Sequence, residues 1–365
     1  MKILLLSDPN SVHTIKWAKA LAGRNIDITI FGLGDLIVKD YLGINNIEIK
    51  TLNQSVTNAE GALNKIKYVK ALPIVKKIIQ EFNPDIVHAH YASSYGLLGA
   101  LSGFEPFVLS VWGSDVFSFP KKSFIHKQIL KFNLKKATKI LSTSHVMAEE
   151  TKIYTNKNIE VIPFGIDLEK FMPLKVNSLF NDDDIVIGTV KSLEKTYGIE
   201  YLIKAFKILC DKYPLLPLKL LIVGGGSLEE YLKNLTKELN IENNTIFTAN
   251  IPFVEVPKYH NMLTVSVSVS NSESFGVAII EASACAKPVI VSNVGGLPEV
   301  VKDGVTGIVV PPKDPDETAN AIEKLILDQD LSKQMGLNGR ERVKKLYNWD
   351  DNVQQMIQIY KDILK

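Results

Sequence analysis

The sequence predicts an α/β fold made of two doubly wound domains, each with a parallel sheet covered by helices on both faces. The chain has 365 residues, which is enough for two domains of ordinary size. Short runs rich in Val, Ile and Leu alternate with segments of helical periodicity. The alternation stops at a polar stretch near the middle of the chain and then resumes. With 46% hydrophobic and 22% charged residues, the composition excludes wholesale disorder.

The N-terminal half begins with a strand at residues 2–7, followed by a helix at 12–21 and a strand at 26–33. The opening apolar run is too short for a signal peptide and is followed by an acid, so it is interpreted as a strand. Ser11 precedes the helix as a cap, and Gly23 follows it. The same half has further predicted strands at 85–91, 107–112, 139–143 and 160–164.

A linker is predicted near residues 167–184, where Pro173 and a polar segment interrupt the pattern. We therefore expect a first domain at 1–167 and a second at 168–349. The predicted strands of the second domain are 185–192, 218–223, 245–248, 265–269, 288–292 and 308–310. Because clefts in doubly wound folds open at the carboxyl ends of strands, motifs at those ends carry the most information.

Cysteine content and hydropathy indicate the compartment. The chain has two cysteines, Cys210 and Cys285, each in an apolar helical stretch, so we expect no disulfide framework and a reducing cytoplasm. No run of about 18 apolar residues is present, which predicts no transmembrane helix.

A glycine-rich turn, Gly224 to Gly226, follows the strand at 218–223. Ser227 and Glu230 have the spacing of a capping box at a helix start. A helix N-terminus behind such a turn binds phosphate groups well, although a tight turn alone explains the glycines equally. The pattern is not G-x-G-x-x-G, so a nicotinamide enzyme is not favoured.

Two carboxylates flank a predicted helix start near Phe275. Glu273 lies in the preceding loop, and Glu281 lies about two turns into the helix. A capping acid plus a surface acid is the alternative, but Glu281 has apolar neighbours, where an unpaired charge is costly. Paired carboxylates here suit a ligand rich in hydroxyl groups. Lys191 and Lys195 follow the strand at 185–190, where they suit a diphosphate or are simply solvated.

Taken together, these motifs resemble the retaining glycosyltransferases of GT-B fold known as family 4. The most specific match is an E-x7-E motif, Glu273 and Glu281, and the resemblance covers nearly the whole chain. Further matches are Gly224 to Gly226, Gly295-Gly296-x-Pro298-Glu299, Pro163-x-Gly165-Ile166-Asp167, and Lys191 with Lys195. The resemblance implies two Rossmann-like domains facing a central cleft, with a final helix at 350–365 packing back on the first domain.

The resemblance also implies roles for particular residues. The second domain would bind a nucleotide sugar, with Glu281 on the ribose hydroxyls and Glu273 at the sugar ring. Lys191 and Lys195 would neutralise the diphosphate, so neither a metal nor another cofactor is expected. The other donor-binding positions implied are Ser274, Phe275, Gly276, Gly224, Gly225, Gly165, Asn10 and Ser11.

The sequence departs from the family pattern at three places. Lys191 stands where the family usually has Arg, which keeps the charge but loses the planar fork. The first loop, residues 8–11, lacks the family's paired glycines. Trp112-Gly113-Ser114-Asp115 replaces a His-Gly-x-Asp segment. We expect Trp112 to stack on a sugar and Asp115 to act catalytically by orienting an acceptor hydroxyl.

Histidines supply further candidates at predicted strand ends. His88 and His90 alternate on one strand and therefore point to the same side. A metal pair lacks an evident third ligand, so structural or cleft-lining histidines are favoured over a metal site. His13 follows the first strand, where both contact with the cleft and a helix surface are compatible with its position.

The net charge of +2 conceals an uneven distribution. Residues 1–167 carry a formal charge of +6, and the remaining residues carry −4. The segment 121–139 contains seven lysines and no acid. Its periodicity predicts a basic amphipathic helix, which either rests on an anionic membrane or packs inward with solvated lysines. Base-stacking aromatic residues are not distributed with these lysines, so nucleic acid is not an expected partner.

These observations predict a retaining hexosyltransferase that uses a nucleotide sugar, with a UDP-sugar as the expected donor. Its acceptor would be a glycan or a polyprenyl-linked glycan, in surface polysaccharide synthesis at the inner membrane face. A nucleotide-sugar epimerase or phosphorylase of the same architecture is an alternative. A non-catalytic nucleotide-sugar-binding partner subunit is another, because Lys191 and Trp112 depart from the family pattern.

Overall fold

The computed structural model describes residues 1–37, 39–52 and 63–365, with the side chains of 63–69 excepted. The chain forms two compact units. The first comprises Met1–Pro163 with Asp351–Lys365, and the second comprises Phe164–Asp350. The division at Pro163 lies close to the boundary expected at residue 167. Within the described ranges, no helix is both long and apolar enough to cross a bilayer.

The first unit is a parallel sheet with helices on both faces. Its elements are β1 (Lys2–Leu6), α1 (Val12–Ala22), β2 (Asp27–Gly32), β3 (Ile47–Thr51), α2 (Leu63–Phe82), β4 (Ile86–His90), α3 (Ser94–Ser102), β5 (Phe107–Val111), α4 (Ser114–Phe117), α5 (Phe124–Lys136), β6 (Lys139–Ser142), α6 (His145–Lys152) and β7 (Ile159–Val161). The strand order in the described residues is β3-β2-β1-β4-β5-β6-β7. Strands β4 and β5 are buried along their whole length, as expected for central strands of a parallel sheet that is covered on both faces.

The second unit repeats this architecture. Its elements are β8 (Ile185–Val190), α7 (Ile199–Lys212), β9 (Leu218–Val223), α8 (Glu229–Glu238), β10 (Thr245–Thr248), α9 (Val256–Met262), β11 (Val265–Ser268), α10 (Val277–Ala284), β12 (Val289–Ser292), α11 (Leu297–Val300), β13 (Gly307–Val310), α12 (Pro315–Leu327) and α13 (Gln329–Leu346). Its strand order is β10-β9-β8-β11-β12-β13, with parallel pairing throughout the described strands. The predicted fold of two doubly wound domains is therefore confirmed.

The final helix, α14 (Trp349–Ile363), belongs mostly to the first unit. Its Tyr360 is buried, and the Tyr360 hydroxyl lies 2.7 Å from Nδ1 of His88 on β4. Nε2 of His88 in turn lies 2.8 Å from the Ser110 hydroxyl on β5. The Asn352 side chain also donates to the Pro163 carbonyl at 2.7 Å. These buried hydrogen bonds hold α14 against the strands.

Two local predictions need correction. The edge strand β3 was not predicted, because its Ile-Glu-Ile-Lys-Thr sequence is half exposed and too polar to stand out as a core strand. The capping box at Ser227 and Glu230 is wrong, since Leu228 occupies the N-cap and no side chain caps α8. Ser227 bonds Glu194 instead, with its N–H and hydroxyl donating to the carboxylate at 2.8 and 2.5 Å.

His88 should make the stability of the protein depend on pH. Burial lowers the pKa of His88 to about 3, well below its unfolded value of 6.5. The unfolded chain therefore binds more protons between these values, so stability is full above pH 6.5 and falls as pH decreases, by up to about 1.4 kcal/mol per pH unit. The free energy of unfolding, measured with urea at pH 7, 6 and 5, should fall less steeply with decreasing pH for His88→Asn than for the wild type. An equal pH dependence of the unfolding free energy in the two proteins would show that His88 does not cause the effect.

Candidate functional site

The second unit has its topological switch point between β8 and β11. From β8 the chain continues to β9 and β10 on one side of the sheet, whereas β11, β12 and β13 lie on the other side. Loops at the carboxyl ends of two such neighbouring strands diverge and leave a crevice, the usual place for a ligand in this class of fold. Lys191 directly follows β8, and Glu273 lies in the loop after β11.

Lys191 and Glu273 form an ion pair across this switch point. The Lys191 ammonium lies 2.5 Å from Oε2 of Glu273, with side-chain exposures of 13% and 11%. The ammonium also lies 4.3 Å from the centre of the Tyr197 ring, a cation–π contact. Because both charges are largely withdrawn from water, each depends on the other as its counter-ion. An anionic ligand placed here would compete with Glu273 for the same ammonium group.

Lys195 belongs to the same group of loops but has an exposed side chain. It opens a single 3-10 turn, Lys195–Tyr197. The Asn271 side chain donates to the Lys195 carbonyl at 2.7 Å, and the Asn271 N–H donates to the Thr196 carbonyl at 2.8 Å. These bonds attach the loop after β8 to the loop after β11. The structure therefore brings Lys191, Lys195 and Glu273 to one edge of the sheet.

Glu281 lies in the second turn of α10 and is 6% exposed. Its Oε2 atom is 3.4 Å from Nε2 of the fully buried His260 on α9. Helix α10 begins at Val277, slightly later than the start expected near Phe275, with Gly276 at the N-cap in a left-handed conformation of φ 109°. The predicted environment of Glu281 is correct, because its neighbours Ile280 and Ala282 are buried.

Two glycines allow the loops to approach closely. A Cβ atom on Gly224 would lie 2.2 Å from the Lys191 carbonyl oxygen, and one on Gly295 would lie 1.8 Å from the Glu273 carbonyl oxygen. The Gly296 N–H donates to that Glu273 carbonyl at 3.0 Å. The Gly225 N–H donates to the Asn250 side chain at 3.0 Å. The loops after β9 and β12 therefore fix the backbone that carries Lys191 and Glu273.

The Ser274–Gly276 segment connects Glu273 to α10. The Phe275 side chain is buried against Tyr347 and Phe164, with ring centroids at 5.5 and 5.9 Å, so its ring has a packing role. Gly165 is also buried, next to Ile166, whose N–H donates to the Tyr347 carbonyl at 2.7 Å. Ligand contacts of Ser274, Gly276 and Gly165 remain predictions.

The first unit has a matching switch point between β1 and β4. An aromatic group gathers there: the rings of His90 and Trp112 are 4.5 Å apart, and those of His13 and Trp112 are 5.8 Å apart. Burial, followed by the charges of His88 and His13, lowers the pKa of His90 well below its ordinary value. Burial and Lys16 lower the pKa of His13 to about 4. At neutral pH this group is therefore uncharged and partly apolar.

Asn10 and Ser11 occupy the loop after β1. The Asn10 amide donates to the Asp35 carbonyl at 2.8 Å, and its side-chain oxygen accepts from the Ile37 N–H at 2.8 Å. Through these bonds, the Asn10 side chain joins two loops of the first unit. Ser11 is the N-cap of α1, but its side chain makes no capping hydrogen bond. Their predicted contacts with a donor stay predictions.

Asp115 is buried at the loops after β4 and β5 of the first unit. Its side chain is fully buried, and its carboxylate accepts N–H bonds from Ala92 at 2.6 Å, Gly113 at 2.7 Å and Trp112 at 3.2 Å. Burial raises the pKa of Asp115, although these bonds oppose the rise. Because backbone N–H groups donate to both of its oxygens, Asp115 holds the loops after β4 and β5 in place, and its catalytic role stays a prediction.

A metal ion is held by several His, Cys, Asp or Glu side chains that lie close together. In the ranges that the structure describes, His, Cys, Asp and Glu side chains form no group of three or more placed to hold a metal ion. His88 and His90 are neighbours, with ring centroids at 4.6 Å, but both nitrogens of His88 are engaged by Tyr360 and Ser110.

Comparison with known families agrees with the fold. Residues 173–342 match the family model described as glycosyl transferases group 1, and residues 2–144 match glycosyl transferase 4-like. Together the two matches span most of the chain. The protein belongs to the group 1 glycosyltransferases of GT-B fold.

One curated relative is similar to this chain in sequence, and two solved structures share its fold. An uncharacterized glycosyltransferase of Methanocaldococcus jannaschii is 28% identical over 299 residues, which cover 81% of this chain and 80% of that protein. Sucrose-phosphate synthase from Thermosynechococcus elongatus superimposes with a TM-score of 0.83 at 23% identity, covering 100% and 99% of the two chains. HepE of Anabaena, solved in complex with UDP and glucose, has a TM-score of 0.79 at 19% identity, covering 99% and 100%.

Substitution of Gly295 tests whether the loop packing fixes Glu273. Gly295→Ala should destabilise the protein by about 2 kcal/mol more than Gly304→Ala, because its Cβ would meet the Glu273 backbone. Gly304 is a matched control, since it also has a positive φ, 69°, but open space around its Cβ position. Urea unfolding measures the difference. Equal destabilisation by the two variants would show that the close contact does not constrain the loop.

Proposed function

We propose that the protein is a metal-independent, retaining glycosyltransferase that takes a sugar from a UDP-sugar. The observation that carries this proposal is the placement of Lys191, Lys195 and Glu273 at the switch point of the second unit, with Glu281 on the helix that follows Glu273. Two cations and two carboxylates suit the two parts of a nucleotide sugar. The cations match the diphosphate, and the carboxylates match the hydroxyl groups of ribose and sugar.

In the proposed binding mode, the diphosphate takes over the Lys191 ammonium from Glu273. The released Glu273 carboxylate then accepts hydrogen bonds from sugar hydroxyls. Glu281 accepts from the ribose, and the first N–H groups of α10 add positive potential near the sugar. The Tyr197 ring stays within range of Lys191 and restrains its side chain. The exchange keeps the ammonium paired, and hydrogen bonds from the sugar hydroxyls compensate the Glu273 carboxylate for the loss of its counter-ion.

Catalysis in this proposal consists of stabilising the departing diphosphate. Lys191 and Lys195 balance the negative charge that grows on its bridging oxygen, the task that a metal performs in other enzymes. The acceptor hydroxyl attacks the anomeric carbon from the face that the leaving group vacates, and its proton passes to a departing phosphate oxygen. The bond to the donor phosphate breaks as the new glycosidic bond forms, and the anomeric configuration is retained.

For the acceptor, we propose a glycan or a polyprenyl-linked glycan. The uncharged aromatic group of His13, His90 and Trp112 in the first unit supports this proposal, because aromatic rings stack well on the apolar faces of sugars. The choice of UDP is supported by HepE, which was solved with UDP and glucose. We further propose a role in the synthesis of surface polysaccharides.

Charge removal at the site tests the proposal. Glu281→Ala and Lys195→Ala should each reduce transfer by at least about a hundredfold while both variants stay folded, as measured by circular dichroism. Lys237→Ala and Glu238→Ala are the controls, since both side chains are exposed on α8. Rates are measured as UDP release from a panel of UDP-sugars in the presence of EDTA. Full activity in both site variants would refute the assignment.

The same assay separates the proposed activity from its alternatives. Transfer predicts that UDP is released only when an acceptor is present, and that the product keeps the donor's anomeric configuration by NMR. A free epimeric sugar without acceptor would instead indicate an epimerase. Nucleotide binding without turnover would indicate a non-catalytic partner subunit.

We also propose peripheral contact with an anionic membrane through residues 121–139. The inward-packing alternative holds for Leu130 and Leu134, which are buried. Phe124 and Ile125, however, are 75% and 62% exposed at the start of α5. The lysines around them at 121, 122, 127, 131, 135 and 136 are exposed as well. An exposed apolar tip within a basic surface suits insertion among anionic headgroups.

Vesicle binding tests this contact. Replacing both Phe124 and Ile125 by Ser should weaken binding to vesicles containing phosphatidylglycerol by at least about tenfold, because each apolar side chain contributes more than 1 kcal/mol on insertion. The matched control replaces Leu215 and Val254, which are exposed on the second unit, by Ser. Co-sedimentation gives the affinity. Equal binding to vesicles of neutral lipid alone, or no effect of the α5 variant, would refute the contact.

A further inference from the structure

A buried histidine lies behind the proposed ribose-binding carboxylate. His260 is 0% exposed, and its Nε2 atom is 3.4 Å from Oε2 of Glu281. The Phe171 ring packs near the imidazole, with centroids 6.3 Å apart. Because no part of His260 reaches the surface, any ligand meets Glu281 and not the imidazole. The donor chemistry described above leaves this residue without a role.

The backbone that carries His260 is firmly anchored through its neighbour Asn261. The Asn261 amide donates to the carbonyls of Met172 at 3.0 Å and Pro257 at 2.8 Å, and its side-chain oxygen accepts from the Leu174 N–H at 2.9 Å. The Lys287 ammonium donates to the Asn261 carbonyl at 2.9 Å. Bonds from three directions therefore hold the end of α9, and the imidazole is presented to Glu281 from a fixed position.

The hydrogen-bond pattern also indicates which ring nitrogen of His260 carries a proton. In the described part of the chain, the buried Nδ1 atom of His260 has no hydrogen-bond partner. A proton on Nδ1 would leave a buried N–H unsatisfied and would turn the Nε2 lone pair toward a carboxylate oxygen. A proton on Nε2 avoids both costs and donates to Glu281. The ring is therefore a directional donor to one oxygen of that carboxylate.

We propose that His260 is the positioning residue for Glu281, fixing one carboxylate oxygen so that the other is oriented toward the ribose hydroxyls of the nucleotide. This inference rests on the proposed donor-binding role of Glu281. Because His260 acts on the nucleotide portion and not on the reacting atoms, its loss should weaken donor affinity and leave the chemical step unchanged. A hydrogen bond to a charged group corresponds to roughly tenfold or more in affinity.

Two substitutions separate this role from simple packing. His260→Leu fills similar volume but removes the donor, and should raise the UDP dissociation constant and the donor KM about tenfold, with kcat within about twofold of the wild type. His260→Gln places an amide nitrogen near the position of Nε2 and should restore most of the affinity. Titration calorimetry with UDP and steady-state kinetics give these values, and circular dichroism confirms that the variants are folded. If the Leu variant does not fold, His260→Asn takes its place, because the Asn amide is too short to reach Glu281. The same rise in the UDP dissociation constant and the donor KM is expected for it.

A double-mutant cycle with Glu281→Ala completes the test. Without the carboxylate there is nothing to position, so His260→Leu should change UDP affinity by less than about twofold in that background. The inference is overturned if His260→Leu binds UDP like the wild type, if Gln is as damaging as Leu, or if the loss persists in the Glu281→Ala background. If Glu281→Ala alone binds UDP normally, the proposed ribose contact has failed, which is a separate result.

Discussion

The ion pair between Lys191 and Glu273 is the constraint on which the candidate site depends. It joins the loops that diverge from β8 and β11, and both of its charges are mostly withdrawn from water. A lone ammonium or carboxylate in such a place would be costly. Each charge of the pair stabilises the other, so both can be buried. In the proposed binding mode, a diphosphate exchanges for the carboxylate without leaving the ammonium unpaired.

The surrounding loops maintain this pair through backbone contacts. Gly224 and Gly295 allow carbonyl oxygens of Lys191 and Glu273 to lie where any Cβ atom would collide. The Glu194 carboxylate, held by Ser227, ties the loop after β8 to the loop after β9. Neighbouring strand ends thus restrain one another, so the charged groups are placed by the sheet and not by flexible side chains alone.

Most of the fold could be predicted from sequence, because buried parallel strands require continuous apolar runs. The E-x7-E pair and both lysines could also be located, since their local spacing at strand ends is visible in the chain. Contacts between residues that are distant in sequence could not be predicted. Nothing near Asp115 shows that the Ala92 N–H would donate to its carboxylate, and nothing near His260 shows that Glu281 would face it. The exposure of Phe124 and Ile125 likewise depends on which face of α5 packs inward.

A crystal structure of the protein grown with UDP in the presence of EDTA tests the central claim most directly. The account predicts the diphosphate at the carboxyl ends of β8 and β11, with the Lys191 ammonium moved from Glu273 to a phosphate oxygen and the ribose hydroxyls on Glu281. A nucleotide bound elsewhere, or bound here with the pair of Lys191 and Glu273 unbroken and the diphosphate away from both lysines, would contradict it.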